Sequence, residues 1–318
     1  MSKQKLIVIL GPTASGKSEL AIKLALRLGS RQRRGSPQVA GQAKKKFGIN
    51  GAEIISADSR QIYRGMDIGT GKITKKEMHN IPHHLLDVAS PKRKFTVAQY
   101  RKLALKSIDK IFKKGKIPIL VGGTGFYIQA LVDGIVIPEV KPDWKLRKRL
   151  EKKSIKKLYE ILKKMDPRRV GTIEKENPRR LIRAIEIVLK TKRPVPPLKF
   201  NPLPYPVLMI GIKRPEKELK QRIKKRFFEW LKRGVILEVI KLRKMGVSFK
   251  RIGYFGMHYR EIAKYLQNKI DEKEMIENSI KEIQNYTKRQ MTWFKKDKRI
   301  KWVKIHRQAE RLLKEFLE

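Results

Sequence analysis

Eight residues near the amino end have the types and the spacing of a phosphate-binding loop. They are Gly11, Pro12, Thr13, Ala14, Ser15, Gly16, Lys17 and Ser18, and they fit the pattern G-x-x-x-x-G-K-[ST]. In this pattern backbone N–H groups surround phosphate oxygens, Lys17 reaches the terminal phosphates, and the Ser18 hydroxyl binds Mg²⁺. An apolar β-branched run precedes the loop and a helical run follows it, which disfavours a chance match in a glycine-containing turn. The sequence therefore predicts a site for a di- or triphosphate.

Two further polar positions lie at the ends of predicted strands. Asp58 is the last residue of the second predicted strand, and three roles are open for it: an acid that holds Mg²⁺ in an ATPase, a general base that faces a substrate, or the cap of a turn. Thr124 follows the next apolar strand within a Gly-Gly-Thr-Gly segment, where glycines permit a ligand to approach the backbone closely. Both positions belong to the edge of a parallel sheet at which ligands bind.

Other polar clusters leave two interpretations open. Arg222 and Arg226 share one helix face and could clamp a leaving pyrophosphate, or they could simply face solvent. His83 and His84 lack further metal ligands at suitable spacing, which favours a packed or hydrogen-bonded turn over a metal site. Residues 286–296 interleave cations with aromatic rings, so this segment could bind nucleic acid, or Trp293 and Phe294 could be core residues.

Charge is the most unusual property of the composition. The 318 residues include 78 Lys and Arg against 30 Asp and Glu, a formal net charge of +48. Such an excess favours an acidic partner, usually nucleic acid, although a lysine-rich genome or a hot habitat also raises lysine content. Residues 141–193 carry 20 Lys and Arg against 7 Asp and Glu, and this local density favours contact with RNA or DNA.

Several classes of protein are disfavoured. The chain has no cysteine, so a disulfide framework and a thiolate metal site are excluded. No apolar stretch approaches the roughly 18 residues that span a bilayer, and the first strand begins too early for a signal peptide. We expect a cytoplasmic monomer that does not associate with membranes.

Strands that are apolar on both faces alternate with helices, which predicts an α/β fold with a parallel sheet covered by helices. The predicted strands are residues 6–10, 53–58, 117–121, 207–212 and 300–305, and the predicted helices are 19–28, 96–113, 143–164, 177–190, 216–233, 259–266, 272–295 and a last one at the carboxyl end. Residues 29–50 read as a basic surface insertion. Six of the sixteen prolines fall between residues 194 and 206 and mark a linker. We therefore predict an α/β core of residues 1–137 and 199–318, with a helical insertion domain at 138–198.

Six segments in the same order resemble one family, the tRNA dimethylallyltransferases, over nearly the whole chain. They are residues 11–18, 55–72, 82–87, 121–127, 177–186 and 287–294. The resemblance implies a P-loop NTPase-like core and an enzyme that transfers a dimethylallyl group from dimethylallyl diphosphate to N6 of an adenosine in tRNA. That adenosine is the one on the 3′ side of the anticodon, at position 37, in tRNAs that read codons beginning with U. Two departures are the insertion at 29–50 and an altered Gly-Tyr-Arg segment within residues 251–260.

The resemblance also implies residue roles. The loop from Gly11 to Ser18 would hold the diphosphate with Mg²⁺ near Ser18, and Asp58 would accept the N6 proton. Lys17, Thr124 and one of the two arginines, Arg222 or Arg226, would complete the catalytic set. The residues implied to contact the anticodon stem-loop are Asp58, Ser59, Arg60, Gln61, Thr124, Arg147, Arg179, Arg180, Leu181, Ile182, Arg183, Arg251, Gly253, Tyr254, Lys288, Arg289, Gln290 and Trp293.

Three rival functions stay open on the residues alone. The first is a P-loop kinase of a small molecule, which would leave the basic insertion unexplained. The second is a prenyl transferase that acts on free adenine nucleotides and needs no RNA-binding domain. The third is an RNA-binding module with a vestigial phosphate loop, against which the intact Lys17, Ser18 and Asp58 argue.

Overall fold

The structure is a computed structural model, and it describes residues 4–29, 48–136, 138 and 140–318. The predicted basic insertion at 29–50 lies almost entirely outside these residues. The chain divides into two compact units. The first comprises Met1–Asp133 and Pro202–Glu318, and the second is Gly134–Asn201. The predicted insertion domain, 138–198, falls within the second unit.

The first unit is built on a parallel sheet. Within the described residues the strands are β1 (Leu6–Leu10), β2 (Ala52–Ser56), β3 (His83–His84), β4 (Ile117–Gly122), β5 (Val207–Ile212) and β6 (Lys301–Val303). Their order is β3-β2-β4-β1-β5-β6, and every described pair is parallel. The predicted α/β class with a P-loop-like parallel sheet is confirmed. β1 and β5 have the predicted bounds.

Burial on both faces explains why the central strands are continuously apolar. Ile7 and Ile9 of β1 belong to one core cluster, and Leu6, Val8 and Leu10 belong to another on the opposite face. All five side chains are 0% exposed. Parallel pairing places the carboxyl ends of β2, β4 and β1 side by side at one end of the sheet.

Helices cover the sheet and extend the first unit. They are α1 (Lys17–Gly29), α2 (Val97–Lys113), α3 (Gly125–Val132), α8 (Glu216–Lys232), α9 (Val235–Lys244), α10 (Phe249–Phe255), α11 (Met257–Tyr265), α12 (Glu272–Phe294) and α13 (His306–Leu317), where α4 to α7 belong to the second unit. Thr96 caps α2 with a capping box, as its side chain accepts from the Gln99 N–H. None of the helices within the described ranges is long and apolar enough to cross a membrane.

The second unit consists of short helices around their own core. They are α4 (Trp144–Leu150), α5 (Ile155–Met165), α6 (Pro167–Thr172) and α7 (Pro178–Thr191). Leu158, Leu162, Leu181 and Ile185 are 0% exposed and lie at the centre of this core. Asn177 caps α7, and Pro178 occupies the first helical position, where its missing N–H costs nothing.

Several element predictions were wrong in detail. One helix at 143–164 is in fact two, because Ser154 ends the intervening turn and caps α5 through the Lys157 N–H. The predicted turn at His83 and His84 forms the edge strand β3, paired with Ile54 and Ile55. The short helices α3, α6, α9 and α10 were not predicted, since their apolar stripes span only about two turns.

A buried carboxylate of β2 forms a hydrogen bond with the edge strand β3. Glu53 is 0% exposed and accepts hydrogen bonds from His84 Nε2, Lys114 Nζ and Lys116 Nζ at 2.7, 3.0 and 2.9 Å. Burial alone would raise the pKa of Glu53, but these three donors outweigh burial and lower the pKa to about 2. The carboxylate therefore stabilises the fold above pH 4.5, and this contribution is lost as the pH falls from 4.5 towards 2.

We expect Glu53→Gln to lower the free energy of unfolding by about 2 kcal/mol at pH 7, because Lys114 and Lys116 lose the opposite charge and an amide nitrogen replaces one of the two accepting oxygens. Urea unfolding of both proteins at pH 7 and pH 3 measures this. The difference in the free energy of unfolding between the wild type and Glu53→Gln should be smaller at pH 3 than at pH 7. An equal difference at both values would contradict the account.

Candidate active site

The loop from Gly11 to Ser18 joins the carboxyl end of β1 to α1 and has the backbone of an anion-binding nest. Gly11, Ala14 and Gly16 have positive φ angles of 154°, 64° and 95°. Such angles turn successive N–H groups towards one centre, and the amino end of α1 adds partial positive charge there. The Ser15 hydroxyl is buried without a hydrogen-bond partner among the described residues. The backbone of the predicted loop is therefore suited to binding an anion.

Lysine and arginine side chains surround this loop. Lys17 Nζ donates to Pro12 O at 3.0 Å. Burial and the nearby charge of Arg226 lower the pKa of Lys17 to about 8, against the opposing effect of Asp58. Arg214 Nε donates to Ser15 O at 2.7 Å, and Arg222 Nε donates to Ala14 O at 3.0 Å. Both arginines also pair with Glu218, so they hold the outer side of the loop in place.

Asp58 lies at the same sheet edge, beyond the end of β2. Its Oδ1 accepts from the Arg60 N–H at 2.8 Å, which is the turn-capping geometry. The capping role and a chemical role are compatible, because Oδ2 accepts no bond within the described residues. Thr124 Oγ1 accepts from the Ser59 N–H at 3.0 Å and donates to Ser59 Oγ at 3.4 Å. A carboxylate and two hydroxyl-bearing side chains therefore converge beside the loop.

Strand order sets the spacing of these groups. β4 lies between β1 and β2, so Asp58 and the phosphate loop are two strands apart, about 10 Å, with Thr124 between them. A pocket at this edge is lined by Lys17, Ser18, Ala21, Ile54, Ser56, Asp58, Gln61, Ile73, His83, Leu86, Val121 and Gly122. The pocket brings cationic, hydroxyl and carboxylate groups together with an apolar wall. It suits a small ligand with a charged end and an apolar end.

Arg226 occupies a different place from Arg222. Its guanidinium stacks on the Trp230 ring at 4.9 Å and fills the space where Gly71 lacks a side chain, since a Cβ there would come within 1.7 Å. Burial lowers the pKa of Arg226, and Asp58 opposes that shift. No carboxylate lies within ion-pair distance of Arg226 in the part of the chain that the structure describes. Its charge is therefore available to an anion, whereas that of Arg222 is paired.

Some of the first-unit residues that are predicted to contact RNA are bonded within the protein, and others are exposed. Arg60 Nε donates to Phe255 O, and Gln61 Nε2 donates to the carbonyls of Thr70 and Gly71. Arg251 donates to Pro91 O and Arg93 O and stacks on Phe255 at 4.6 Å. These side chains organise the loops around the site. Ser59 and Gly253 are half-buried, while Tyr254 is 41% exposed with Lys94 Nζ 4.7 Å from its ring centre.

At the carboxyl end of α12, one face of the helix is exposed and the other is buried. Lys288 and Arg289 are exposed, and Trp293 is 37% exposed and contacts the Phe126 ring edge-to-face at 6.3 Å. Phe294 is 2% exposed and belongs to the core, so the core interpretation is correct for this residue. Gln290 is 5% exposed and bonded to the protein interior. Its amide is bonded within the protein, so its side chain presents little surface, and its contact with RNA stays a prediction.

The residues of the second unit that are predicted to contact RNA differ in exposure. Leu181 and Ile182 are 0% and 5% exposed within the core of that unit, so their side chains have no surface to offer to RNA. Arg147 and Arg183 both bind the buried Glu186 carboxylate, which also accepts the Asp143 N–H at 2.6 Å. Arg179 and Arg180 are exposed at the start of α7. The predicted contacts therefore include four arginines, two of which, Arg147 and Arg183, form ion pairs with Glu186.

Two site residues were missed in the sequence. Arg214 follows β5 at the edge that carries the phosphate loop, so its position was a usable signal. Glu238 gave no such signal in the sequence, because it lies on the unpredicted helix α9. Its carboxylate is 6% exposed and accepts the N–H groups of Asp67, Ile68 and Gly69 and the Tyr259 hydroxyl. It fixes the loop that packs against Arg226.

Comparison with known proteins agrees with this geometry. The model of the family described as IPP transferase matches residues 61–297. The tRNA dimethylallyltransferase of Acetivibrio thermocellus is 40% identical over 305 residues, covering 93% of this chain and 90% of its own length. The tRNA dimethylallyltransferase of Pelotomaculum thermopropionicum is 37% identical over 314 residues, covering 97% of this chain and 93% of its own length.

Solved structures give the same result. The tRNA isopentenylpyrophosphate transferase of Bacillus halodurans has a TM-score of 0.66 at 32% identity, with 99% of this chain and 98% of that one covered. A eukaryotic dimethylallyltransferase acting on tRNA has a TM-score of 0.66 at 26% identity, with 92% of this chain and 70% of that one covered. The fold and its solved neighbours define a P-loop-like α/β transferase. The chain belongs to the IPP transferase family, and it is a prenyl-transferring enzyme.

Proposed function

We propose that this protein transfers a dimethylallyl group from dimethylallyl diphosphate to N6 of the adenosine on the 3′ side of the anticodon, at position 37, in tRNAs that read codons beginning with U. The observation that carries the proposal is the convergence of the phosphate loop, Thr124 and Asp58 at one sheet edge. Curated relatives named tRNA dimethylallyltransferase support it. The proposed partner is the anticodon stem-loop of tRNA.

The loop from Gly11 to Ser18 would hold the diphosphate of the donor. As the bond between the allylic carbon and the diphosphate oxygen breaks, its electron pair leaves with the diphosphate. Inward N–H groups, Lys17 and Arg226 would stabilise that growing charge, and such preorganised donors contribute most where water is excluded. The apolar pocket wall of Ile54, Ile73 and Leu86 would accept the prenyl chain.

Asp58 would act on the nucleophile. The N6 lone pair attacks the allylic carbon, and one N6 proton passes to the free oxygen of the Asp58 carboxylate. Thr124, held by Ser59, would orient the amino group. The adenine must leave the stacked anticodon loop to reach this edge of the sheet.

The residues present fit a magnesium ion that arrives with the substrate. Ser18 and Asp58 both line the pocket, and no group of three or more His, Cys, Asp or Glu suited to a metal occurs among the described residues. Mg²⁺ is commonly held by one or two protein oxygens together with substrate phosphates. When bound, the ion would offset negative charge on the diphosphate.

A transfer assay tests the proposal. The protein is incubated with dimethylallyl diphosphate, Mg²⁺ and unmodified tRNA, and the digested RNA is searched by mass spectrometry for the N6-prenylated nucleoside. We expect the product in tRNA and not with AMP. Transfer to AMP alone would favour a prenyl transferase of free nucleotides, and ATP consumption with a small acceptor would favour a kinase.

The pKa of Lys17 predicts how donor binding depends on pH. Its ammonium form binds phosphate, and this form is lost as the pH rises through about 8. We expect donor affinity to weaken above that value, with proton uptake on binding. Calorimetry with the donor and Mg²⁺ in buffers of different ionisation enthalpy measures the uptake. Lys17→Arg, charged at every pH tested, should lose both effects; their persistence would contradict this origin.

A further inference from the structure

Gln290 forms a bridge between two loops of the site. Its Oε1 accepts from the Thr13 N–H at 2.8 Å and from the Thr13 hydroxyl at 3.2 Å. Its Nε2 donates to Gly123 O at 2.8 Å. Three of the four hydrogen bonds available to an amide are thus made inside the protein. The side chain therefore has a structural connection to both loops at once.

The two connected loops hold opposite ends of the proposed reaction. Thr13 belongs to the phosphate loop, where the leaving group would lie. Gly123 precedes Thr124, whose N–H donates to Ala57 O directly before Asp58. One side chain therefore sets the spacing between the diphosphate end and the nucleophile end of the site.

The helix that carries Gln290 also carries exposed cations. Lys288 and Arg289 directly precede Gln290 and lie at the surface. The α12 end is held by Phe294 in the core and by the contact of Trp293 with Phe126. An RNA bound at the outer face would restrain the same helical turn that positions Gln290, because an α-helix is rigid over one turn.

We propose that Gln290 is a positioning residue that couples tRNA binding at α12 to the alignment of the phosphate loop with the loop of Thr124. This inference rests on the proposed function. RNA on the outer face favours the aligned state, and the aligned state binds the donor more tightly. By linkage, the donor then tightens RNA binding by the same factor.

The test compares RNA affinity with and without a donor analogue. The RNA is an anticodon stem-loop, and the analogue is the unreactive dimethylallyl thiolodiphosphate with Mg²⁺. In the wild type we expect the analogue to tighten RNA binding at least about fivefold. In Gln290→Met the factor should fall below about twofold, while RNA affinity without analogue stays within about threefold. Turnover should fall about 10- to 100-fold with little change in the KM for RNA.

Two further variants make the test specific. Gln290→Asn keeps the amide but shortens it by one methylene, so it cannot reach both loops and should lose the coupling too. Gln284→Met makes the matched replacement on the same helix, at a side chain with no hydrogen bond to either loop within the described residues, and should keep the wild-type factor.

The outcomes separate this inference from the proposed function. Coupling that survives in both Gln290 variants, or is absent from the wild type, overturns the inference. Weaker RNA binding by the variants without analogue would instead make Gln290 an RNA contact and also overturns it. A wild-type protein that does not prenylate tRNA contradicts the proposed function whatever Gln290 does.

Discussion

Asp58→Asn should lower the turnover of prenyl transfer by about 10²- to 10⁴-fold, the usual contribution of a general base. Asparagine keeps the oxygen that accepts the Arg60 N–H, so the turn after β2 should persist. Its amide cannot accept a proton from N6. Single-turnover prenylation of an anticodon stem-loop, followed by mass spectrometry, measures the loss of the chemical step.

The same variant should bind RNA within about threefold of the wild type, because only the proton acceptor is removed. Asp109→Asn, which removes a carboxylate from the exposed face of α2, is the matched control and should retain full turnover. Turnover by Asp58→Asn at the wild-type rate would mean that the N6 proton goes to another group, and the capping role of Asp58 would be its only one.

Arg226→Met should reduce turnover by about 10²- to 10³-fold, whereas Arg222→Met should cost less than about tenfold. The two residues are four apart on α8, but only Arg226 has a guanidinium without a carboxylate partner in the described chain. Arg222 is already bound to Ala14 O and Glu218, so its loss should loosen the phosphate loop rather than remove charge from the leaving group.

The comparison of the two arginine variants is its own control, because both replacements remove one positive charge from one helix. Rates with a saturating donor and with limiting donor distinguish lost charge stabilisation from weaker binding. A larger loss of turnover in Arg222→Met than in Arg226→Met would reverse the assignment. Equal small losses would show that the N–H groups of the loop and Lys17 suffice for the leaving group.

The sheet and the phosphate loop could be predicted because their signals are local. β1, β4 and β5 are runs of apolar residues buried on both faces, and the glycine spacing of residues 11–18 has a direct backbone consequence. The helices α9 and α10 were missed because each presents only about two turns of apolar periodicity. Tertiary packing against α11, rather than propensity, stabilises such short helices.

The chemistry of the site could be predicted only in part. Motif resemblance named Lys17, Asp58 and Thr124, and strand order brings them to one edge. Resemblance could not tell which way a side chain faces, so Gln290, Leu181 and Ile182 were assigned to RNA although they are buried. The difference between Arg222 and Arg226 also depends on their neighbours. Glu218 lies four residues before Arg222 on the same helix, so that pairing could have been predicted from spacing. Gly71, which leaves space for Arg226, is far away in the sequence and gave no such signal.

A crystal structure with dimethylallyl thiolodiphosphate, Mg²⁺ and an anticodon stem-loop would test the central claim most directly. We predict the diphosphate within the loop of residues 11–18 and the N6 amino group of an extruded adenine within hydrogen-bond distance of Asp58. A diphosphate bound elsewhere, or an adenine that remains stacked in the RNA loop of a complex competent for transfer, would contradict the account.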